Sequence, residues 1–216
     1  MMVNKAMKNN LFIISKNGVP YVGYSFLTFL VFSFLDLELF ATFSFFLFFF
    51  FIFVFRNPER ELVFYQKNSF LSPCDGVVTS IEHLEESDYA YKIDIESSYL
   101  NVGILRAPMN CKVKNIELMR GARAAKKSKL FNTLNENIAL TLIDEVNNEV
   151  KMVHKLKQSF APIDVSLMEK QEIVQTARYG DMVNGITSIY FKSNFRINLN
   201  IGQEIKASET LIGYFS

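Results

Sequence analysis

Two runs of 17 uncharged residues, 19–35 and 39–55, flank the tripeptide Asp36-Leu37-Glu38, and this arrangement sets the first constraint on the fold. Taken as one helix, residues 19–55 would extend ~55 Å at ~1.5 Å per residue, far beyond the ~30 Å hydrocarbon core of a bilayer. Such a helix would also hold two carboxylates mid-membrane, at ~2.5–3.5 kcal/mol each. The sequence therefore predicts a helical hairpin, transmembrane or re-entrant, with an acidic tip. Fourteen of the 22 Phe fall between positions 26 and 55, whereas residues 56–216 carry 20 basic and 20 acidic side chains. So uneven a distribution excludes a disordered chain, a collagen-like chain and a simple soluble globule.

Lys5, Lys8 and Lys16 precede the hairpin, Arg56, Arg60 and Lys67 follow it, and its tip has no basic residue. The positive-inside rule then places both chain ends in the cytoplasm. Three segments are expected: a basic cytoplasmic stretch at 1–18, the membrane hairpin at 19–55, and one further domain at 56–216. A hairpin buried in a soluble core is the alternative. A cleaved signal peptide is not expected, because the apolar stretch is too long and no small-residue cleavage site follows it.

Beyond Pro58 the apolar pattern changes to period two, as half-buried strands require. Residues 76–81, the alternation Tyr91-Ile93-Ile95, residues 137–143 and 150–156, and Phe195-Ile197-Leu199-Ile201 all show it. Helical spacing is found only at 121–130 and, more weakly, at 163–174. Turn chemistry lies at 144–148, at 179–185, and at Gly202 and Gly213. The expected fold class is thus mainly β (α+β), a cytoplasmic domain preceded by the hairpin. Cys74 and Cys111 have neither a CxxC partner nor clustered His, so both read as small buried apolar residues, with no metal expected.

Eight basic residues (Arg106, Lys112, Lys114, Arg120, Arg123, Lys126, Lys127, Lys129) and a single acid, Glu117, lie between Leu105 and Leu130. Such a run is either a solvated face or an anion-binding surface. Nucleic acid is not the expected partner, since the run lacks interleaved aromatics or a recognisable module. The anionic leaflet of a membrane is, at ~1 kcal/mol for each Lys or Arg near the surface.

No HExxH, P-loop, GxSxG or Rossmann glycine pattern occurs, and the two His are isolated. Five segments nevertheless form an ordered set: Phe55-Arg56-Asn57-Pro58-Glu59-Arg60, Ser72-Pro73-Cys74-Asp75-Gly76-Val77-Val78, Asn101-Val102-Gly103-Ile104-Leu105-Arg106-Ala107-Pro108, Asn135-Glu136-Asn137 and Phe191-Lys192-Ser193-Asn194. In order and spacing the set resembles the short bacterial type of phosphatidylserine decarboxylase, across roughly residues 20–216. The resemblance implies a decarboxylase-like β domain at the inner membrane of a bacterium, with phosphatidylserine as its anionic lipid and other phospholipid-synthesis enzymes as partners. It also implies a proenzyme. In that family a Ser attacks the preceding Gly carbonyl, the ester eliminates, and the new N-terminus becomes a pyruvoyl group that serves as electron sink for decarboxylation to phosphatidylethanolamine.

Carried over by residue, Asp75 matches the family Asp and Ser193 the family Ser, which makes Lys192-Ser193 the cleavage site. Gly103 stands where the family has its His, and Lys192 where it has Gly. The first change removes the side chain that accepts a proton near neutral pH, typically a loss of ~10²–10⁴ in rate. The second removes the residue that tolerates a strained backbone before the Ser. His154 is expected at an exposed or core-edge position of its strand and His83 in a solvated loop. The reading is a degenerate family member that binds lipid or a partner enzyme. An active decarboxylase cut before Ser193 is the alternative, and residues 202–213 also resemble the closing hairpin of a lipoyl or biotinyl carrier, which would make a membrane-anchored adaptor.

Overall fold

A computed structural model of the protein describes residues 13–60, 66–85 and 87–216. Lys5 and Lys8 of the expected basic segment lie outside them. The chain divides into two compact units, one ending at Pro58 and the other running Glu59–Ser216.

The first unit is a hairpin of helices α1 (Gly18–Phe34) and α2 (Glu38–Val54). Pro20 sits in the first turn of α1, where its missing N–H costs nothing. Asp36 ends that helix in the left-handed region, with φ 56°. Its N–H reaches the Ser33 carbonyl and that of Leu37 the Phe32 carbonyl, so the turn closes two orphan acceptors. The arms are zipped by aromatic pairs at Phe32–Phe40, Phe29–Phe45, Phe26–Phe48 and Tyr21–Phe55, with ring centroids 5.2–5.6 Å apart. Ser25, Ala41 and Ser44 are buried, small enough to let the helices approach. A Cβ on Gly18 would collide with the Phe55 side chain. The expected hairpin is present, but each arm has 17 residues, ~25 Å of helix. Among the described residues no helix is long and apolar enough to cross a membrane, so the transmembrane form of the expectation is not met.

The second unit is mainly β. Its strands are β1 (Ser69–Leu71), β2 (Gly76–His83), β3 (Tyr91–Glu96), β4 (Ile104–Arg106) and β5 (Cys111–Met119). The short helix α3 (Phe131–Leu134) follows, then β6 (Asn137–Ile143), β7 (Glu149–Leu156), β8 (Asp164–Val165) and β9 (Glu172–Ile173). The last are β10 (Arg178–Asp181), β11 (Gly185–Phe191), β12 (Phe195–Ile197), β13 (Glu204–Ile205) and β14 (Leu211–Phe215). They form an eight-stranded sheet, ordered β13-β2-β3-β11-β7-β6-β5-β9, and two three-stranded sheets, β1-β14-β12 and β4-β10-β8. The alternating residues Val150, Met152, His154 and Leu156 of β7 and Ile138, Leu140 and Leu142 of β6 point into one core with Ile93, Ile95 and Ile189. Phe191 stacks on Phe195 at 3.7 Å, and Phe70 meets Phe191 edge-on at 4.9 Å.

Two helical expectations are corrected. Residues 121–130 are irregular, and helix begins only at Phe131. Asn135, fully buried, donates to the carbonyls of Ala124 and Leu156 and accepts from the Ala124 N–H. Those tertiary bonds take up backbone groups that a helix would use, overriding local propensity. Residues 163–174 hold the short strands β8 and β9. Of the expected turns, Asp144 caps its loop by accepting from Val146 and Asn148, and Gly202 has φ 85°, but Gly213 lies within β14 and residues 179–181 within β10, where backbone pairing to neighbouring strands holds them extended. Residues 202–213 do not close on themselves, because β13 pairs with β2 and β14 with β1 and β12. That pairing is not the carrier-type closing hairpin.

Candidate functional site

Asp75 immediately precedes β2 and is buried. Its Oδ2 accepts from Arg60 at 2.6 Å and its Oδ1 from the Ala207 N–H at 2.8 Å, while the Ser97 hydroxyl donates to its carbonyl at 2.5 Å. Arg60 also reaches Glu209 at 3.1 Å. Both carboxylate oxygens are therefore committed to structural partners. Arg106 is buried nearby, opposite Arg178 in the β4–β10 register, and its N–H bonds the Pro73 carbonyl. Desolvation, then the charges of Arg178 and Arg60, lower its pKa to about 10.

Gly103 lies at this same end. Its carbonyl accepts from Met182, just before Gly185, and the Gly185 carbonyl in turn accepts from the N–H of Ser97. A Cβ on Gly103 would sit 3.2 Å from the Met182 carbonyl oxygen, so a His here needs that backbone to give by a few tenths of an ångström.

Ser193 is elsewhere. The row Val77–Glu96–Ile186 crosses the large sheet near Asp75, and the row His83–Tyr91–Phe191 crosses it near Ser193. Between them β3 runs five residues, ~16 Å at ~3.3 Å per residue. Asp75 lies before the first row and Ser193 beyond the second, so the two sit at opposite ends of the sheet. Ser193 is exposed in the β11–β12 turn. Lys192, its side chain 45% exposed, approaches Glu149 at 4.0 Å, and Asn194 donates to Asn148 at 2.6 Å. Neither Lys192 nor Ser193 has a positive φ. At the matched positions, the Asp is remote from Ser193 and Gly103 offers no side chain that could accept its proton.

Other residues carry roles that the sequence did not reveal. His154 is not at an edge but fully buried, its ring nitrogens 2.9 Å from the Thr187 hydroxyl and 2.7 Å from the Tyr179 hydroxyl. Burial lowers its pKa to about 3, which keeps the ring neutral. Thr187 also hydrogen-bonds Cys74, and burial pushes the Cys74 and Cys111 thiols up to about 12, as inert core positions require. His83 ends β2 rather than lying in a loop, exposed and packed edge-on against Tyr91 at 5.3 Å.

The eight basic residues differ in their surroundings. Arg106 is buried. Arg120 and Arg123 both clasp the buried carboxylate of Glu136, Arg123 at 3.1 Å, which ties 120–123 to the Asn135-Glu136 segment. Lys114 pairs with Glu149 and Lys126 with Glu96, each at 2.6 Å. Lys112, Lys127 and Lys129 are exposed. Among the described residues no group of His, Cys, Asp and Glu is placed to hold a metal.

Fold and site together define an antiparallel β domain, with a buried Asp-Arg clamp, that follows an aromatic helical hairpin. The family model for phosphatidylserine decarboxylase matches residues 47–213. The chain is 27% identical over 206 residues to the phosphatidylserine decarboxylase proenzyme of Desulfotalea psychrophila, covering 93% of this chain and 95% of that protein. It is 27% identical over 221 residues to the proenzyme of Geotalea uraniireducens, covering 96% and 99%. To that of Wolbachia pipientis it is 27% identical over 169 residues, covering 73% and 72%. The chain belongs to the phosphatidylserine decarboxylase family.

Proposed function

We propose that this protein serves phospholipid (phosphatidylethanolamine) biosynthesis at the inner membrane of a bacterium, engaging anionic phospholipid without forming a pyruvoyl group. The separation of Asp75 from an exposed Ser193 carries the reading. Gly103 in place of the family His supports it, as does the commitment of both Asp75 oxygens to Arg60 and Ala207. The hairpin of exposed Phe, its arms shorter than a bilayer core, fits re-entrant insertion with both ends cytoplasmic. Its partners are the membrane, phosphatidylserine and other enzymes of lipid synthesis.

One observation favours a second reading, an active decarboxylase. A cavity of about 660 Å³, lined by Gln66, Asn68, Arg196, Tyr214 and Ser216 among others, adjoins the Ser193 turn through the Ser216–Asn194 hydrogen bond. The purified full chain, incubated with phosphatidylserine in mixed micelles, separates the two. Phosphatidylethanolamine formation is expected at the protein-free level and unchanged by Ser193→Ala. Turnover that vanishes in that variant would establish the second reading.

A further inference from the structure

Two large apolar side chains of the β unit, Leu130 and Leu134, stand in solvent at 51% exposure each, one helical turn apart, with the Leu134 N–H donating to the Leu130 carbonyl at 2.9 Å. Backbone contacts tie this turn to the end of β5. The β5–β6 register sets Leu118 beside Ile138 and Met119 beside Asn137. The Ala122 N–H then donates to the Leu134 carbonyl at 2.7 Å, and a Cβ on Gly121 would collide with that same oxygen. Lys127 and Lys129 lie between the segments in sequence, exposed and with no ion pair among the described residues. The exposed acid Glu117 accepts from Asn115 at 2.7 Å, while Glu96 is taken by Lys126 and Glu136 by Arg120 and Arg123. The lobe is fixed from beneath, since Asn135 and Glu136 are buried and bind 120–124. Two apolar side chains on a braced turn, beside two free ammonium groups, have the chemistry of an interfacial lipid contact: apolar tips enter the headgroup boundary while cations pair with anionic lipid. A protein partner would equally cover the apolar tips, but the lysines favour a surface of dense negative charge.

We propose that residues 127–134 form a second membrane contact, separate from the hairpin, in which Leu130 and Leu134 insert into an anionic bilayer surface held by Lys127 and Lys129. The proposal rests on the membrane reading given above. At ~1 kcal/mol per Lys, each ammonium contributes roughly fivefold to partitioning of the lobe.

The test uses the full chain with an environment-sensitive fluorophore on Leu130→Cys, and in a parallel sample on Phe46→Cys of the hairpin. Both positions are exposed, and the native cysteines are buried. Vesicles of phosphatidylcholine with phosphatidylglycerol should shift the residue 130 probe to the blue. Pure phosphatidylcholine should leave it in water, and Lys127→Glu with Lys129→Glu should abolish the shift while the residue 46 probe keeps its own. A residue 130 probe that stays in water while residue 46 inserts would overturn the second contact alone. Equal shifts on neutral vesicles would overturn the anionic partner, and silence at both positions would overturn the membrane reading with it.

Discussion

Asp75→Ala should lower the unfolding free energy by about 3–5 kcal/mol, the usual cost of removing one partner from a buried ion pair. Arg60 and Asp75 are 10% and 9% exposed in their side chains, so solvent screens the pair little. The substitution also orphans the Ala207 N–H and leaves Arg60 with Glu209 as its carboxylate contact among the described residues. Urea denaturation of the full chain in detergent measures the loss. Replacing both partners with apolar residues, Arg60→Met with Asp75→Leu, should recover much of it, because the uncompensated charge is then absent. A loss below about 1 kcal/mol for Asp75→Ala would mean that the clamp does not form, and Asp75 would be free for other work.

Acidification should weaken the fold well before the carboxylates titrate. His154 folds neutral with its pKa lowered to about 3 by burial, whereas in the unfolded chain it has an ordinary value of ~6.5. Between those values the unfolded state binds the extra proton, so the stabilisation is complete above pH ~6.5 and falls as pH drops toward 3. The slope is ~1.4 kcal/mol per pH unit, which gives ~2–3 kcal/mol between pH 6.5 and 4.5. Glu59, Glu149, Asp94 and Glu96 all have lowered folded pKa values. For Glu59 and Glu149 the hydrogen bonds from Arg178 and Lys114 come first; for Asp94 and Glu96 desolvation is outweighed by lysine partners. Their stabilisation is lost as pH falls below about 4.5, so the window above it belongs to His154. The variant His154→Gln should start less stable and show a flat profile there; an unchanged slope would show that His154 is not buried neutral.

Much of this architecture is written in local pattern. Strict alternation marked β3, β6 and β7, and the acidic tripeptide at the tip marked the hairpin turn. The same alternation held the clue to His154, which shares parity with Val150, Met152 and Leu156 and so had to face the core. What a single sequence does not carry is register across distant strands. The distance between Asp75 and Ser193 depends on β2, β3 and β11 pairing as they do, which neither motif shows where it stands. The Asn135-Glu136 segment resembled a family signature of unstated purpose; its work is to lock residues 120–124, which in turn removes the helix that Ala and Lys suggested at 121–130. In the basic run, register across strands buries Arg106, and Arg120 and Arg123 pair with the buried carboxylate of Glu136.

The intact mass of the purified full-length protein tests the central claim most directly. A single uncut chain of 24.9 kDa is the expected result. Two pieces, residues 1–192 and a residue 193–216 fragment with a blocked N-terminus, joined again by Ser193→Ala, would contradict it and return the protein to the working decarboxylases.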